Sequence, residues 1–365
     1  VVNVRRMGGG FGGKETQMNL FACVAAIAAK KWHRAVKLRP DRDDDMIATG
    51  KRHDFVTDYA VGFDDQGKIM AVTGDWYARC GFSADLSMAV TDRALFHADN
   101  AYRYPAARLT SHPLRTNTVS NTAFRGFGGP QGMLAIERVV DAVAAHLGHD
   151  PLEVRVANLY APGRDTTPYG MTVADNIAPG MIARLRRDAG YDARRARIAA
   201  FNDRHPVLKK GIAITPVKFG ISFTATHFNQ AGALVHIYSD GSIMLNHGGT
   251  EMGQGLHTKI VQVVAEAFNV GVEQVRITKT TTEKVPNTSA TAASSGTDLN
   301  GMAALDACNQ IKARLVAFLC ETKEAEPGEI EFLRDHVRVR DEVIAFSKVV
   351  QTAYLARVQL SAAGF

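Results

Sequence analysis

Three glycine-rich segments are the parts of this sequence whose composition could support chemistry. The first, residues 8–15, reads Gly-Gly-Gly-Phe-Gly-Gly-Lys-Glu and places five glycines in six consecutive positions. Glycine adopts φ > 0 at little steric cost and lets the main chain come close to a ligand. A row of main-chain N–H groups just before a helix can bind an anion or a metal-bound oxygen. The segment therefore predicts a cofactor-binding turn between a strand and a helix.

Two further segments repeat this pattern. Residues 121–132 read Asn-Thr-Ala-Phe-Arg-Gly-Phe-Gly-Gly-Pro-Gln-Gly and lead into a helical pattern, with Pro130 near its first turn. Residues 248–255 read Gly-Gly-Thr-Glu-Met-Gly-Gln-Gly and precede an amphipathic run. Three such cradles predict a large ligand held from several sides, because a single phosphate group does not need so many.

A dinucleotide site is the first alternative for the 8–15 segment. Gly8, Gly10 and Gly13 satisfy the G-x-G-x-x-G pattern, which is weak evidence by itself. The acid that binds the ribose is expected about twenty residues later, where the basic stretch 30–34 stands instead. Lys14 also lacks the spacing of a P-loop. The sequence therefore disfavours a nicotinamide-binding dehydrogenase. If the chain were one, NAD should protect this loop from proteolysis.

The elements that must position these loops read as a mixture of helices and strands. The first part of the chain predicts a strand at 1–7, a helix after the first loop, a strand at 36–38 and an acidic solvent-facing loop at 41–45. A hairpin over 53–80 that turns at 64–67 and a helix at 131–147 are predicted next. An arginine-rich helical stretch at 178–204, strands at 233–238 and 243–246, and a helix at 295–322 complete the predicted order. The alternation is irregular, so the fold class is mixed α+β. We expect two domains, residues 1–177 and 178–365.

Composition is compatible with several functions and excludes few. A chain of 365 residues with 46% apolar residues has ample core for about two domains. The net charge is +6, and the basic residues are spread along the chain. Their densest cluster, the arginines between positions 184 and 197, favours a solvated helical face over a nucleic-acid interface. The four cysteines form no C-x-x-C pair, which is typical of a reduced, cytoplasmic protein without its own iron–sulfur site. The pattern also predicts no signal peptide and no membrane span.

Taken together, the glycine segments resemble the molybdenum-binding part of the xanthine oxidase/aldehyde oxidase family of molybdopterin hydroxylases. Gly-Gly-Gly-Phe-Gly-Gly-Lys-Glu at 8–15, Thr-Ala-Phe-Arg-Gly-Phe-Gly-Gly-Pro-Gln at 122–131 and Gly-Gly-Thr-Glu-Met-Gly-Gln-Gly at 248–255 carry the resemblance. So do residues 218–224 and 290–294, in family order across almost the whole chain. The resemblance implies a two-domain molybdenum-cofactor-binding region.

This resemblance also implies which residues surround the cofactor. The metal would be held by the pterin dithiolene, with oxo and sulfido ligands, and the protein would supply packing and electrostatics. The implied cofactor-binding residues are Gly10, Phe11, Gly12, Arg125, Met252, Gln254, Thr291, Ala292, Ala293 and Ser294. Of these, Phe11, Arg125 and Ala293 would lie in the neighbourhood of the molybdenum, through backbone or cofactor. Considered alone, Ala292 and Ala293 would be interpreted as ordinary small residues within a helix.

For the substrate, the family resemblance implies a flat purine. A purine pocket needs aromatic faces and placed charges, and Phe127 and Phe223 match the two rings that hold the heterocycle. Glu15 and Arg93 match the acid and the arginine at its opposite edges, where Arg93 would stabilise negative charge on the purine oxygen. Thr224 is a further polar contact. Considered singly, Glu15 could serve a helix dipole and Arg93 a surface ion pair.

In the family, residues needed for catalysis lie outside the stretch that this chain matches. The general-base glutamate is expected beyond residue 365, so we expect an internal piece of a longer polypeptide that is inactive alone. [2Fe–2S] clusters, FAD and NAD would belong to a partner subunit or a missing segment, in an enzyme that is an oligomer when intact. The implied reaction is hydroxylation of hypoxanthine and xanthine toward urate, with water as the oxygen source. The alternatives are an aldehyde or N-heterocycle hydroxylase and a non-enzymatic fragment that cannot retain the cofactor.

Overall fold

The computed structural model describes residues 1–283 and 288–365, and these fall into two compact units. One unit comprises residues 11–220, and the other combines residues 1–10 with residues 221–365. We call them the 11–220 unit and the 221–365 unit. The observed mixture of helices and sheets confirms the predicted α+β class. The boundary near residue 177, drawn from sequence, stays a prediction.

The 11–220 unit is built on a three-stranded sheet in the order β2-β3-β4. Strands β2 (Phe55–Phe63) and β3 (Ile69–Gly81) form the predicted antiparallel hairpin, and β4 (Ala106–Arg115) pairs parallel to β3. The helices are α1 (Met18–Trp32), α2 (Arg42–Ala48), α3 (Ser87–Phe96), α4 (Gly129–Leu147), α5 (Pro151–Asn158), α6 (Ala178–Asp188) and α7 (Tyr191–Arg204). Buried side chains of β3, α4 and α5 form the core of this unit, including Ile69, Val140 and Leu152.

A four-stranded sheet in the order β12-β5-β6-β7 forms the centre of the 221–365 unit. Its strands are β5 (Ala233–Ile237), β6 (Ile243–His247), β7 (Val275–Ile277) and β12 (Ser361–Gly364). Helices α8 (Leu256–Phe268) and α9 (Gly296–Lys323) pack against this sheet. Strands β9 (Ile330–Leu333), β10 (His336–Val339) and β11 (Glu342–Ala345) form a separate antiparallel sheet beside α10 (Phe346–Leu355), and β1 (Asn3–Val4) pairs with β8 (Thr280–Thr281).

Most of the predicted elements are confirmed, and three are wrong. The stretch 1–7 forms only the two-residue strand β1, because β8 pairs with it only there, and Val1 is 83% exposed. No strand forms at 36–38, where no neighbouring strand pairs with the chain. The acidic stretch at 41–45 is the N-cap and first turn of α2 rather than a loop.

Local chemistry explains the third error. The Asp41 carboxylate accepts the main-chain N–H of Asp44 at 2.8 Å, which caps the helix. Asp43, Asp44 and Asp45 then occupy the first turn, where negative charge is favoured by the helix dipole.

Among the described residues, no helix has both the length and the apolar character needed to cross a membrane.

Candidate functional site

The first glycine segment adopts strained backbone conformations at its centre. Phe11 has φ 53° and Gly12 has φ 89°, so a non-glycine residue sits in the left-handed region. Such residues persist where the surroundings enforce them, and they cluster at functional sites. A Cβ on Gly12 would lie 3.1 Å from the carbonyl carbon of Ala123, so the first segment packs directly on the 121–132 segment.

Glu15 lies just before α1, at the end of this loop. Burial and the nearby negative charge of Asp85 raise the pKa of the Glu15 carboxyl. The same Asp85 accepts hydrogen bonds from the Thr16 hydroxyl at 2.7 Å and from the Gln17 amide at 3.3 Å. Since Asp85 immediately precedes the N-terminus of α3, the first loop is tied to that helix.

Arg93 is carried by α3 and is only 6% exposed, so it is not the surface ion-pair residue that the sequence alone allowed. Its Nη1 donates to the Gly220 carbonyl oxygen at 2.6 Å. Its guanidinium carbon lies 5.6 Å from the centre of the Phe219 ring. Burial lowers the pKa of Arg93, but the guanidinium remains the permanent cation of this region.

The second glycine segment lies against the same helix. Gly126, Phe127 and Gly128 have consecutive φ values of 95°, 51° and 97°. A Cβ on Gly128 would collide with the Val90 carbonyl oxygen, and one on Gly132 with the Ala94 carbonyl oxygen. Glycine at these positions therefore lets the half-buried Phe127 and the start of α4 sit on the α3 turn that carries Arg93.

Arg125 itself is exposed, and its carbonyl oxygen accepts a 2.7 Å hydrogen bond from Arg52. The Arg52 guanidinium also lies over the Phe124 ring, 4.6 Å from its centre. Three buried polar atoms around this segment lack a hydrogen-bond partner in the described residues, namely Arg52 Nη1, Thr122 Oγ1 and Gln131 Oε1. Buried polar groups are normally satisfied, so these atoms are compatible with a polar ligand such as the implied pterin cofactor.

In the 221–365 unit, the third glycine segment is held by its own side chains. The Met252 N–H donates to Gln254 Oε1 at 2.6 Å, and Gln254 Nε2 donates to the Thr250 carbonyl oxygen at 3.0 Å. The Thr250 N–H donates to the Thr291 hydroxyl at 2.8 Å, which joins this loop to the segment at 291–294. Gly10 packs here too, because a Cβ on it would lie 2.9 Å from the Met252 sulfur.

Glu251 was not among the site residues predicted from the sequence, although its side chain accepts hydrogen bonds from several main-chain N–H groups. Its carboxylate accepts N–H groups from Gly253 at 2.8 Å, Gly255 at 3.2 Å and His257 at 3.0 Å. Burial alone would raise the pKa of Glu251, but these three hydrogen bonds outweigh it and lower the pKa. The available signal was an acid a few residues before a helix, where N–H groups lack intrahelical partners.

The segment at 291–294 combines strain with a long-range main-chain bond. Ala293 and Ser294 both have φ 58°, which is unusual for residues with a side chain. The Ala293 carbonyl oxygen accepts the Ser222 N–H at 2.8 Å. The next residue, Phe223, is fixed through main-chain bonds to the Asn229 side chain at 2.8 and 2.9 Å, whereas Thr224 is exposed. Two non-glycine residues in the left-handed region again mark a position that the surroundings enforce.

The predicted site residues thus form two groups. The 11–220 unit holds Phe11, Gly12, Glu15, Arg93, Arg125 and Phe127, and the 221–365 unit holds Gly10, Phe223, Thr224, Met252, Gln254, Thr291, Ala292, Ala293 and Ser294. Within each unit the contacts above link the loops that carry them. A pocket that joins Phe127 with Phe223 draws on both units and stays a prediction.

His247, just before the third glycine segment, is held by a main-chain hydrogen bond. His247 is 3% exposed, and its Nδ1 accepts the Gly249 N–H at 3.0 Å. Burial, with the neighbouring His257, lowers the pKa of His247 to about 4. Among the described residues, no three His, Cys, Asp or Glu side chains come close enough together to hold a metal ion.

Comparison with known proteins gives matches over nearly the whole chain. A molybdopterin cofactor-binding domain model matches residues 1–159, and a second such model matches residues 184–365. The chain is 44% identical over 366 residues to xanthine dehydrogenase of Blastobotrys adeninivorans, 45% identical over 364 residues to nicotinate hydroxylase of Emericella nidulans and 45% identical over 365 residues to xanthine dehydrogenase/oxidase of Mus musculus. These alignments cover 99–100% of this chain but only 25–26% of each relative.

Solved structures share the fold at lower identity. The CO dehydrogenase of Oligotropha carboxidovorans matches with a TM-score of 0.88 at 23% identity, over 100% of this chain and 48% of that chain. Quinoline 2-oxidoreductase of Pseudomonas putida 86 matches with a TM-score of 0.84 at 23% identity, over 100% and 49%. At this identity the likeness concerns the fold.

Proposed function

The chain belongs to the xanthine dehydrogenase family of molybdopterin-cofactor-binding oxidoreductases, and on this premise we propose that it binds the cofactor and a purine in an enzyme that hydroxylates hypoxanthine and xanthine. The observation that carries the proposal is the pair Glu15 and Arg93. Both lie in the 11–220 unit, one a carboxyl with a raised pKa and the other a buried guanidinium. A small number of placed polar or charged groups is what fixes the orientation of a flat polar ligand in a pocket.

The residues of this chain would bind and orient the heterocycle. A Glu15 carboxyl with a raised pKa retains its proton to higher pH, so it can donate to a ring nitrogen or accept from a ring N–H. Arg93 would hold the purine oxygen at the opposite edge and stabilise the negative charge that develops there. Phe127 and Phe223 would cover the faces of the ring, and Thr224 would add a polar contact.

The cofactor would rest on the loops that already show close approach and strain. Gly10, Met252, Gln254 and the segment 291–294 would contact the pterin from the 221–365 unit, and Phe11, Gly12 and Arg125 from the 11–220 unit. The bound group would supply the oxidation, with water as the oxygen source. The buried unpartnered atoms beside the 121–132 segment support a polar occupant.

The rest of the enzyme would contribute what these residues cannot. We infer that the general-base glutamate, the [2Fe–2S] clusters, the FAD and the final electron acceptor lie in other segments or subunits of an oligomeric, cytoplasmic enzyme. The chain spans about a quarter of the length of the curated relatives named above, which leaves room for such parts. By itself, this stretch would then be inactive.

A second candidate is hydroxylation of another N-heterocycle, because the nicotinate hydroxylase of Emericella nidulans is as similar as the xanthine dehydrogenases. Arg93 could pair with a carboxylate on such a substrate. A protonated Glu15 would tolerate this carboxylate and an ionised Glu15 would repel it, so the neutral oxypurine suits Glu15 in either state. An aldehyde needs neither charge.

The test is substitution of the two charges in the protein that carries this chain. We expect Glu15→Val and Arg93→Met each to lower kcat/KM for xanthine by about 10²-fold or more, the loss typical for one electrostatic group. Turnover of benzaldehyde should change by less than about threefold. Glu266→Gln, on the exposed face of α8, is the matched control.

Three results would contradict the proposal. The first is equal losses for both substrates, and the second is faster turnover of nicotinate than of xanthine by the unmodified protein. The third is an absence of molybdenum from that protein, measured by elemental analysis, which would favour a non-enzymatic role.

A further inference from the structure

Residues Lys218, Phe219 and Gly220 form a short extended segment along α3, which we call the 218–220 strap. Each of its residues is anchored within the 11–220 unit. Lys218 Nζ lies 2.6 Å from Asp99 Oδ2, an acid that is 1% exposed. The Lys218 N–H donates to the Asn100 side-chain oxygen at 3.0 Å.

Phe219 is 36% exposed, and one side of its ring contacts α3 and the start of α4. Its ring centre lies 4.8 Å from that of His97, at an angle of 40°. A Cβ on Gly129 would lie 2.6 Å from the same ring, so a larger residue at the start of α4 would displace Phe219. The Arg93 guanidinium lies over the ring on the α3 side, where its charge is attracted to the π face.

Gly220 is held at both of its main-chain polar groups. Its carbonyl oxygen accepts the 2.6 Å bond from Arg93 Nη1, and its N–H donates to His97 Nε2 at 3.1 Å. The acceptor role of Nε2 places the ring proton on Nδ1, which donates to the Arg93 carbonyl oxygen at 2.9 Å. One neutral imidazole therefore bridges the main chain of Arg93 to Gly220, the residue whose carbonyl oxygen binds the Arg93 side chain.

His97 is well suited to remain neutral. It is 5% exposed, and burial together with the positive charges of Arg93 and Lys218 lowers its pKa, opposed by the bond to the Arg93 carbonyl. A protonated ring could not accept the Gly220 N–H. The bridge therefore needs the neutral ring that its surroundings favour.

From these contacts we propose that His97 is a positioning residue that sets substrate specificity, because it holds the strap that orients Arg93 toward the oxygen-bearing edge of an oxypurine. This inference rests on the proposed function. It assigns to His97 no contact with substrate.

Three substitutions at His97 separate its two hydrogen bonds. His97→Phe keeps a ring against Phe219 but removes both bonds. His97→Gln can place an amide oxygen where Nε2 accepts from Gly220, and His97→Asn can place an amide N–H only where Nδ1 donates to the Arg93 carbonyl. The matched control is Tyr104→Phe, which removes a buried 2.9 Å hydrogen bond to the Ala98 carbonyl oxygen without touching the strap.

In the cofactor-loaded protein that carries this chain, His97→Phe should lower kcat/KM for xanthine about tenfold, the loss expected from one misplaced charged hydrogen bond. Turnover of benzaldehyde should change by less than about twofold, because Arg93 has no charged edge to bind there. His97→Gln should recover xanthine turnover to within about threefold, whereas His97→Asn should not. Tyr104→Phe should leave the ratio of the two substrates unchanged.

Amide hydrogen exchange measured by mass spectrometry provides a readout that does not depend on turnover. Peptides covering 217–222 should exchange faster in His97→Phe and His97→Asn than in the unmodified protein and in His97→Gln. Should His97→Phe prove too unstable to purify, Gly129→Ala, which displaces Phe219, replaces it with the same expected pattern.

The outcomes distinguish this inference from the proposed function. Faster exchange at the strap with an unchanged substrate ratio would overturn the specificity role of His97, as would equal losses for xanthine and benzaldehyde. Unchanged exchange in His97→Phe would overturn the strap itself. An unmodified protein that turns over benzaldehyde but not xanthine would refute the proposed function and the role of His97 with it, whatever the exchange data show.

Discussion

Glu15 illustrates how a single side chain acquires its properties from its neighbours. The residue is half-buried, and both burial and the charge of Asp85 raise the pKa of its carboxyl above the usual value of 4.5. The sequence singled out Glu15 through its place in a recognisable motif. It could not predict Asp85 as a neighbour, because the two residues are 70 positions apart in the sequence. Asp85 is brought close to Glu15 by the hydrogen bonds that it accepts from Thr16 and Gln17.

The raised pKa makes a prediction for stability as a function of pH. The folded protein keeps the Glu15 proton at a pH where the unfolded chain has lost it, so this residue lowers the free energy of unfolding as pH rises from 4.5 through the folded pKa. Glu15→Gln, which carries no titratable proton, should therefore gain stability relative to the unmodified protein over that window. The gain should level off once Glu15 is ionised in both states.

Urea unfolding of the two proteins between about pH 4 and pH 8 measures this difference. Glu266→Gln, at an exposed position of α8, serves as the control for the removal of one carboxyl group. A difference between Glu15→Gln and the unmodified protein that stays constant with pH would contradict the assignment.

At the scale of elements, the glycines of the second segment allow two helices to pack closely. Gly128 and Gly132 let the start of α4 lie on the backbone of α3, which carries Arg93. The sequence predicted α4 and its Pro130 start correctly, because helical periodicity and proline chemistry are local. It did not predict that the glycines would serve the packing of two helices, since that depends on a neighbour distant in sequence.

This packing role gives a steric prediction. In Gly132→Ala, the new Cβ would collide with the Ala94 carbonyl oxygen, so we expect a loss of about 1–3 kcal/mol in the free energy of unfolding. The matched control is Gly180→Ala in α6, where nothing lies within 4 Å of an added Cβ. There the substitution should be neutral or stabilising by up to about 1 kcal/mol.

Chemical denaturation of both variants gives these values. Equal effects of the two substitutions would show that α3 and α4 can separate without cost, against the contact described above.

For the whole molecule, each compact unit has a core of its own. Leu315 of α9 is 0% exposed in the core of the 221–365 unit, and Leu152 of α5 is 1% exposed in the core of the 11–220 unit. The sequence predicted enough apolar residues for two domains, but the count alone could not show which residues group into which core. That grouping follows from strand pairing between distant segments, such as β12 with β5.

Truncation of these leucines provides the corresponding prediction. Leu315→Ala and Leu152→Ala should each cost about 2–5 kcal/mol through lost burial and a residual cavity. Leu134→Ala on α4, at a side chain that is 72% exposed, should cost less than about 0.5 kcal/mol.

Hydrogen exchange by mass spectrometry locates each effect. The faster peptides should include α9 and β5 for Leu315→Ala, and α4 and α5 for Leu152→Ala. A variant whose own unit remains as protected as in the unmodified protein would contradict this assignment of cores.

The family could be identified from the sequence because the glycine segments combine specific residues in a fixed order, and most helices and strands could be predicted because their periodicity is local. The tertiary structure alone decided that the 1–7 run is nearly unpaired, that the acids at 41–45 start a helix, and that His97 bridges Arg93 to Gly220. These features depend on which distant segment supplies a hydrogen-bond partner or a packing surface. A linear pattern contains no record of such partners.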